Sequence, residues 1–367
     1  MSLQEMGGKP VERTEHVDKK HRILGLGSAG LDFIALVDRY PPADAKVRTE
    51  SLEIVGGGNC GNTIVAASRL GLDACLATKV GADVNGRLIL DGLKEEGVDV
   101  TRVIVSDKTP SAFTYVIVDQ ERDTRTCIHT PQTEEILPEE ITADLLEGVS
   151  AVHLDSRHTL AAVSLARLAN QMGVPVVVDA EKDRPHFQEL LPLADYVVCN
   201  RNFPEVFTGR PSREEALRCL LSQGRAKLVA STLGAEGCIV MTRREEPPWS
   251  GFDDISIPSR CPVKVTSTRF HGGSADDRGL DALDGGECMV VEATSWPMSE
   301  SDVVDTTGAG DSFIAAFIYG VTHKMGIGRT LALSSLVAAR KLSQPGARRG
   351  VPTLGQIKHD WPELLAS

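Results

Sequence analysis

Residues 303–317 of the chain read VVDTTGAGDSFIAAF, and the rest of the sequence is best interpreted from this stretch. The apolar residues after Asp311 recur at the spacing expected for one face of a buried helix. They are Phe313, Ala316, Phe317, Gly320 and Val321. We therefore predict that a helix begins near Gly308, with Thr306 or Thr307 as its cap.

The small residues and the second aspartate of this stretch indicate an anion site. The first turn of a helix carries unpaired N–H groups and a partial positive charge, and both favour an anion. Gly308, Ala309 and Gly310 would let a phosphate approach the backbone closely. Asp311 would then lie beside the phosphate, where a carboxylate accepts the proton of an attacking hydroxyl. An ordinary helix start is the alternative that GAGD alone leaves open.

A second glycine-rich stretch, VGGGNCGNTIVAASRLG, occupies residues 55–71. Its glycines run into a helical apolar face that Gly71 would close, so we predict a loop followed by a helix. The side-chain amides of Asn59 and Asn62 both donate and accept hydrogen bonds, which suits the hydroxyls of a sugar. The alternative is a turn with asparagines in the left-handed conformation.

Short apolar runs alternate with helical stretches through the middle of the chain. The runs SAVHLDS, VPVVVDA, ADYVVCN and KLVAST each end in a polar residue, and helical patterns cover 160–172 and 213–223. This alternation predicts an α/β fold with a mostly parallel sheet covered on both faces. Ligands bind beyond the carboxyl ends of such strands. The residues expected to face one crevice there are Asp155, Asp179, Asn200 and Thr232.

Four regions depart from this alternation or flank it. Residues 1–20 are predicted to be a disordered tail, which leaves 21–360 as a single domain. Strand-like segments within 31–58 and 98–130 are expected to form a small sheet over the crevice. The Gly-, Pro- and Asp-rich stretch 243–286 is predicted to be a long surface insertion.

The composition excludes several classes of partner. The chain has 39 Lys and Arg against 51 Asp and Glu, a net charge of −12, which disfavours nucleic acid and anionic membranes as partners. No apolar run approaches the roughly 20 residues that span a bilayer, and the N-terminus lacks the apolar segment of a secretory signal. The eight cysteines form no C-x-x-C pair, so we expect them to be reduced and the protein to be cytoplasmic.

The two glycine-rich stretches together carry a family resemblance. GGNCGN followed by AASRLG resembles the N-terminal signature of the ribokinase-like (PfkB) sugar kinases, and VVDTTGAGDSFIAAF resembles their C-terminal signature. Further similarities extend over most of the range 22–353. Within the family, VDRYPPADAKVRTESLEIVGGGNCGN, ERDTRTCIHT and AVHLDSRH resemble the ketohexokinases.

The resemblance implies a ribokinase-like three-layer α/β/α fold with a small β-sheet lid, and a homodimer. It implies transfer of the γ-phosphate of ATP to a hydroxyl of a sugar, and the similarity to ketohexokinases implies that this sugar is a ketohexose such as fructose. The family generally requires Mg²⁺ with ATP, often together with K⁺. A nucleoside or ribose kinase of the same superfamily is the first alternative. A non-catalytic sugar-binding regulator is the second, which the intact GAGD disfavours.

The resemblance also implies roles for individual residues. Asp311 would be the catalytic base, and the amides of Gly308, Ala309 and Gly310 would form the anion hole. The sugar would bind to Asp32, Gly58, Asn59, Asn62 and Arg125. The nucleotide would bind to Asn200, Thr232, Gly234, Gly237, Gly346 and Ala347, the last two near the adenine or a monovalent cation. Asn202 and Glu205 have the N-x-x-E spacing that organises Mg²⁺ through water in many members, although Asn200 stands where the strand should end, so the choice of asparagine stays open.

Two other motifs favour different chemistry. GLGSAG at 25–30 matches the dinucleotide-binding fingerprint, but prolines at 41 and 42 follow early and the text between is strand-like, so a nicotinamide site is disfavoured. We expect these glycines to let the backbone approach a substrate near Asp32. HLDSRH at 153–158 contains too few ligands for a metal site, and we expect Asp155 and Arg157 to line the crevice. His129 and His186 receive no role, and the sequence has no P-loop.

Overall fold

The computed structural model describes residues 21–122, 124–243, 254–270 and 288–365. The predicted tail at 1–20 and much of the predicted insertion at 243–286 therefore lie outside the described residues. Within the described ranges, no helix is both long and apolar enough to cross a membrane.

The strands of the described chain carry the β-branched and apolar runs noted above. They are β1 Arg22–Leu26, β2 Gly30–Val37, β3 Ser51–Gly57, β4 Asp73–Ala77, β5 Lys79–Gly81, β6 Ile104–Ser106, β7 Phe113–Asp119, β8 Thr124–Thr130, β9 Val149–Leu154, β10 Val176–Ala180, β11 Tyr196–Cys199, β12 Leu228–Thr232, β13 Cys238–Arg243, β14 Val265–Phe270 and β15 Cys288–Ala293.

Four helices of the described chain, α1, α3, α6 and α7, match the predicted helical stretches. They are α1 Asn59–Arg69, α2 Val84–Glu95, α3 Thr159–Met172, α4 Phe187–Leu190, α5 Phe203–Thr208, α6 Arg213–Ser222, α7 Ala309–Thr322, α8 Ile327–Lys341, α9 Leu354–Asp360 and α10 Pro362–Leu365. Short 3₁₀ turns occupy Pro138–Glu140, Ala143–Leu146, Leu191–Leu193, Gly234–Glu236 and Glu300–Asp302.

A large sheet forms the centre of the described molecule. Its order is β14-β15-β13-β12-β11-β10-β9-β1-β4. Six neighbouring strands of this sheet run parallel: β4, β1, β9, β10, β11 and β12. At one side, β13, β14 and β15 pair antiparallel. The expected mostly parallel sheet is therefore confirmed.

Successive side chains of each strand enter two different cores, because side chains alternate across a strand. Ile23 of β1 packs in the core under α1, α7 and α8, with Ile64 and Phe317. Leu24 packs in the opposite core under α3, α4 and α6, with Leu165 and Leu217. Both faces of the sheet are thus covered by helices, which gives the predicted three layers.

A smaller sheet lies apart from the large one, with the order β3-β2-β7-β8. Its strands come from the two regions where a small sheet was expected, and a sheet separate from the main one is confirmed. The predicted strand around residue 104 is not part of it, because β6 pairs with β5 instead.

The stretch 243–286 contains regular structure that the sequence interpretation missed. Val265–Phe270 form β14, the edge strand of the large sheet, paired antiparallel with β15. Val263, just before it, is buried in the main core. The predicted surface segment thus contains an edge strand, whose Thr266, Ser267 and Thr268 are exposed.

Candidate active site

A cavity of about 660 Å³ opens at the carboxyl ends of the parallel strands. Four side chains were expected to meet in one crevice, and all four line this cavity: Asp155, Asp179, Asn200 and Thr232. The small sheet forms another wall, through residues such as Asp32 and Thr114. The first turn of α7 closes the site with Gly308, Gly310 and Asp311.

The turn into α7 differs in detail from the predicted cap. Gly308 is the N-cap in the left-handed conformation, with a φ of 78° and no side-chain capping bond. Thr307 instead donates its hydroxyl to Asp305 at 2.7 Å. The N–H of Ala309 donates to the carbonyl of Thr306 at 3.3 Å, and Ala309 is absent from the cavity wall. Of the three residues predicted to form an anion hole, Gly308 and Gly310 line the cavity and Ala309 does not.

Asp311 has the surroundings of a catalytic carboxylate. It is buried on the first turn of α7, and its Oδ2 accepts a hydrogen bond from Nδ2 of Asn62 at 2.9 Å. Burial raises the pKa of Asp311 to about 7, while the bond from Asn62 opposes the rise and the nearby Asp155 and Glu181 add to it. A carboxyl group with such a pKa accepts a proton readily near neutral pH.

Arg348 fixes the amide that holds Asp311, and sequence interpretation did not identify it. Its Nε donates to Oδ1 of Asn62 at 3.0 Å, and its Nη2 donates to the carbonyl of Gly57 at 3.1 Å. Because Oδ1 of Asn62 is taken, Nδ2 must face Asp311. Burial, partly offset by acidic neighbours, lowers the pKa of Arg348 to about 10. The sequence resemblance assigned roles to the neighbouring Gly346 and Ala347 but none to Arg348.

The predicted sugar-binding residues all lie at the cavity, but some of their polar groups are already hydrogen-bonded to other protein side chains. Asp32, Gly58, Asn59, Asn62 and Arg125 all line it. Burial raises the pKa of Asp32, with a hydrogen bond from Thr114 opposing the rise. Nδ2 of Asn59 turns toward Asp179 and Glu181, at 3.4 and 3.2 Å from their oxygens.

Arg125 ties the small sheet to the turn before α7. Its Nη1 lies 2.9 Å from Oδ1 of Asp305 and also donates to the hydroxyl of Thr307. The guanidinium thus already has partners on the loop that leads into α7. Its side chain is 44% exposed, so one face stays open to the cavity.

A cluster of carboxylates at the ends of β9 and β10 suits a divalent cation. Burial, together with the charges of Asp311, Asp155 and Glu181, raises the pKa of Asp179 well above its ordinary value. A cation would relieve this repulsion, and Mg²⁺ needs only one or two carboxylates besides phosphates and water. Within the described residues no group of three or more ligands forms a complete metal cage. Asp179 and Glu181 are therefore the residues that fit Mg²⁺ together with phosphate oxygens.

Only some of the residues predicted to bind the nucleotide line the cavity. Asn200 and Thr232 line the cavity, whereas Gly234 and Gly237 lie in the 3₁₀ turn beyond β12 and do not. Oδ1 of Asn200 accepts from the N–H groups of Asn202 and Phe203, at 3.1 and 3.0 Å. It therefore caps the turn into α5 and leaves its Nδ2 on the carbonyl of Glu181.

The alternative metal pair is not brought to the cavity. Neither Asn202 nor Glu205 lines it. Oε1 of Glu205 instead lies 3.0 Å from Nη2 of Arg213. The structure thus places Asn200, and not Asn202, at the strand end, because β11 stops at Cys199, two residues earlier than the N-x-x-E spacing requires.

Gly346 and Ala347 support the turn before α7 and do not line the cavity. The N–H of Gly346 donates to Oδ2 of Asp305 at 2.8 Å. Two carbonyls of this region, those of Asp305 and Gln344, accept from Nζ of the buried Lys341 at 2.6 and 3.3 Å. The ammonium of Lys341 therefore holds these two carbonyls together.

The dinucleotide-like glycines have a packing role. GLGSAG is followed by strand β2 and not by a helix, which removes the basis for a nicotinamide site. A Cβ at Gly27 would lie 2.2 Å from Oδ1 of Asp155, and one at Gly25 would lie 2.5 Å from Ile64. We expected these glycines to let a substrate approach the backbone. At Gly25 and Gly27 that expectation is wrong, because the side chains of Ile64 and Asp155 occupy the space beside them.

A family model described as pfkB family carbohydrate kinase matches residues 20–268 and 282–354. The chain belongs to the PfkB family. It is thus a carbohydrate kinase, a phosphotransferase that acts on an alcohol group.

Known PfkB proteins resemble the chain over nearly its whole length. It is 27% identical over 339 residues to an ATP-dependent ribose-1-phosphate kinase of Halopiger xanaduensis, covering 92% of this chain and 96% of that protein. It is 25% identical over 354 residues to a ribokinase of Lactococcus lactis subsp. lactis, covering 94% and 98%. The structure of Arabidopsis thaliana ribokinase, complexed with ribose and ATP, superimposes with a TM-score of 0.72 at 19% identity, covering 95% and 100%.

These comparisons confirm the ribokinase-like fold and the family. None of the three proteins is a ketohexokinase, so the narrower resemblance stays a prediction.

Proposed function

We propose that the protein transfers the γ-phosphate of ATP to a sugar hydroxyl, with Asp311 as the general base. The observation that carries this proposal is the environment of Asp311. Its buried carboxylate is held on one side by Asn62 at 2.9 Å, within a cavity that also contains the start of α7. Such an arrangement serves proton abstraction next to a bound phosphate.

The proposed reaction uses few groups. The acceptor hydroxyl gives its proton to Asp311 as its oxygen forms a bond to the γ-phosphorus, and the bond from that phosphorus to ADP breaks. The amides of Gly308 and Gly310 stabilise the negative charge on the transferring group, since they stand at a helix N-terminus. Mg²⁺, held beside Asp179 and Glu181, would neutralise phosphate charge when bound. The small sheet covers the site and limits hydrolysis by water.

The first candidate for the acceptor is a ketohexose such as fructose. This choice follows from the sequence resemblance around residues 37–62, 121–130 and 151–158. Ribose is the second candidate, because a relative and a structural neighbour are named ribokinases. Nucleosides are the third. The eight cysteines are all free thiols, which agrees with the proposed cytoplasmic setting.

ATP-to-ADP conversion with Mg²⁺ tests the function against fructose, other ketoses, ribose, aldoses, nucleosides, and the phosphates of fructose and ribose. Asp311→Asn should lower kcat by about 10²–10⁴-fold, because the base is lost while the shape is kept. The exposed Asp302→Asn is the matched control and should keep the wild-type rate. Near-normal turnover by Asp311→Asn, in a protein that melts as a folded one, would refute the mechanism.

A second outcome would change the class of protein. If a sugar raises the melting temperature while no acceptor consumes ATP, the protein is a sugar-binding regulator and the kinase proposal fails.

A further inference from the structure

Three cationic side chains line the same cavity as Asp311 and are not used by the proposed reaction. Arg157 follows β9, and Lys182 and Arg184 follow β10. All three stand on loops that leave the carboxyl ends of neighbouring parallel strands.

The described residues provide no carboxylate partner within 4 Å for any of these three side chains. Other arginines of this acidic chain are paired, for example Arg22 with Asp73 and Arg69 with Glu96.

The carboxylates nearest to these cations are engaged elsewhere. Oδ2 of Asp155 accepts from the N–H groups of Ser28 and Cys60, at 2.9 and 3.0 Å. Asp179 and Glu181 both receive the amide of Asn59. The cavity wall therefore holds positive charge that the protein itself does not pair.

The three cations lie close enough to affect one another. Burial and the charge of Arg157 lower the pKa of Arg184, despite the opposing pull of acidic neighbours. Nε of Arg184 is buried without a hydrogen-bond acceptor. Burial and the charges of all three cations also lower the pKa of His129, which faces the cavity from β8. Arg157 and Arg184 are half-buried and Lys182 is exposed, so the cluster is open to an anion that could accept from the unpaired Nε of Arg184.

The position of the cluster separates it from the predicted anion hole. The loops that carry it lead into α3 and α4, which pack on the face of the sheet opposite α1 and α7. Asp311 and the amides of Gly308 and Gly310 approach the cavity from the α7 side. Asn200 and Thr232 follow β11 and β12, and Asn200 adjoins the loop after β10 because its Nδ2 donates to the carbonyl of Glu181. An anion at the cluster would thus be across the cavity from the transferring phosphate.

We propose that the acceptor is a sugar phosphate, whose phosphate group binds Arg157, Lys182 and Arg184 while its free hydroxyl faces Asp311. This inference rests on the proposed function. The reaction is the one given above, and the phosphate already on the acceptor is unchanged, so the product is a sugar bisphosphate and ADP. A dianionic group suits three cations, since arginine forks bind phosphate oxygens in pairs.

Matched acceptors test the proposal in the wild-type protein. Fructose is compared with fructose 1-phosphate and fructose 6-phosphate, and ribose with ribose 1-phosphate and ribose 5-phosphate. At least one phosphorylated acceptor should show a kcat/KM about 10–100-fold above that of its neutral sugar, because charge-assisted bonds form only with the phosphate. Raising the ionic strength should reduce this preference.

Substitutions then locate the binding group. Arg184→Gln and Arg157→Gln should each raise the KM of the sugar phosphate about tenfold or more, and leave the KM of ATP and of the neutral sugar unchanged. The control is Arg167→Gln, on α3, whose 60% exposed side chain lies outside the cavity. It should change none of these values.

Three outcomes would overturn the inference. Neutral sugars used as well as their phosphates would do so, and so would variants that raise only the KM of ATP, since the cations would then serve the nucleotide. If no acceptor is phosphorylated, the proposed function fails separately, and thermal shifts still test the site. Suppose that sugar phosphates raise the melting temperature and neutral sugars do not. If that increase is equally large in Arg184→Gln, the phosphate binds elsewhere.

Discussion

At the scale of single residues, the protonation of Asp311 depends on opposing influences. Burial favours the neutral acid and raises its pKa to about 7, and the hydrogen bond from Asn62 favours the carboxylate. Arg348 keeps that amide in the orientation that donates to Asp311. The carboxyl group of Asp311 is therefore set near the point where it changes charge at physiological pH.

This state of Asp311 predicts an acid limb in the pH profile. The base must be unprotonated to act, so kcat/KM should fall about tenfold per pH unit as the pH drops below about 7, and level off above it. Initial rates between pH 5 and 9 with a saturating coupling system measure this. A profile that is flat down to pH 5 would contradict the assignment of Asp311 as the base.

At the scale of secondary-structure elements, the entry into α7 depends on one backbone conformation. Gly308 has a φ of 78°, a region that side chains strongly disfavour. A Cβ there would also lie 2.4 Å from the carbonyl oxygen of Ala347. The loop 344–348 and the start of α7 thus pack backbone against backbone.

Two glycines of this element should respond differently to alanine. Gly308→Ala should lower the free energy of unfolding by about 1–2 kcal/mol for the left-handed conformation, with the close contact adding to this. Gly310→Ala should leave stability nearly unchanged, because its φ is not positive and nothing lies within 4 Å of its added Cβ. Urea denaturation of the two variants measures the difference. Equal losses would show that conformation at Gly308 is not limiting.

At the scale of the whole molecule, the small sheet has two distinct faces. Asp32, Thr114 and His129 lie in one row across β2, β7 and β8, and all three line the cavity. The next row is apolar and faces away from the cavity, with exposed Ile54, Tyr115 and Ile128 flanking Phe33. A flat apolar sheet face of this kind is normally covered in solution.

We predict that a second copy of the chain covers this face, in the homodimer that the sequence resemblance implies. The double variant Ile54→Glu and Tyr115→Glu should sediment as a monomer, while the wild type sediments at twice the chain mass. Leu88→Glu, an equally exposed apolar position on α2, is the control and should stay dimeric. A monomeric wild type at micromolar concentration would contradict the prediction.

Local patterns in the sequence were enough to predict the alternation of strands and helices and the catalytic helix. Glycine–asparagine and GAGD motifs carry their chemistry within a few residues, so Asn62 and Asp311 could be named before their contact was known. The four strand-end residues were predictable too, because parallel strands bring their carboxyl ends to one edge.

Contacts between distant segments were not predictable in this way. Asn62 and Asp311 are 249 residues apart, and Arg348 reaches Asn62 from a loop with no recognisable motif. The edge strand β14 was not predicted, because its sequence VTSTRF is mostly polar and shows no apolar alternation. The unpaired Arg157 and Arg184 became visible only in the folded chain. Whether a charge is paired depends on which other charges the fold brings near it, and a linear sequence does not give those distances.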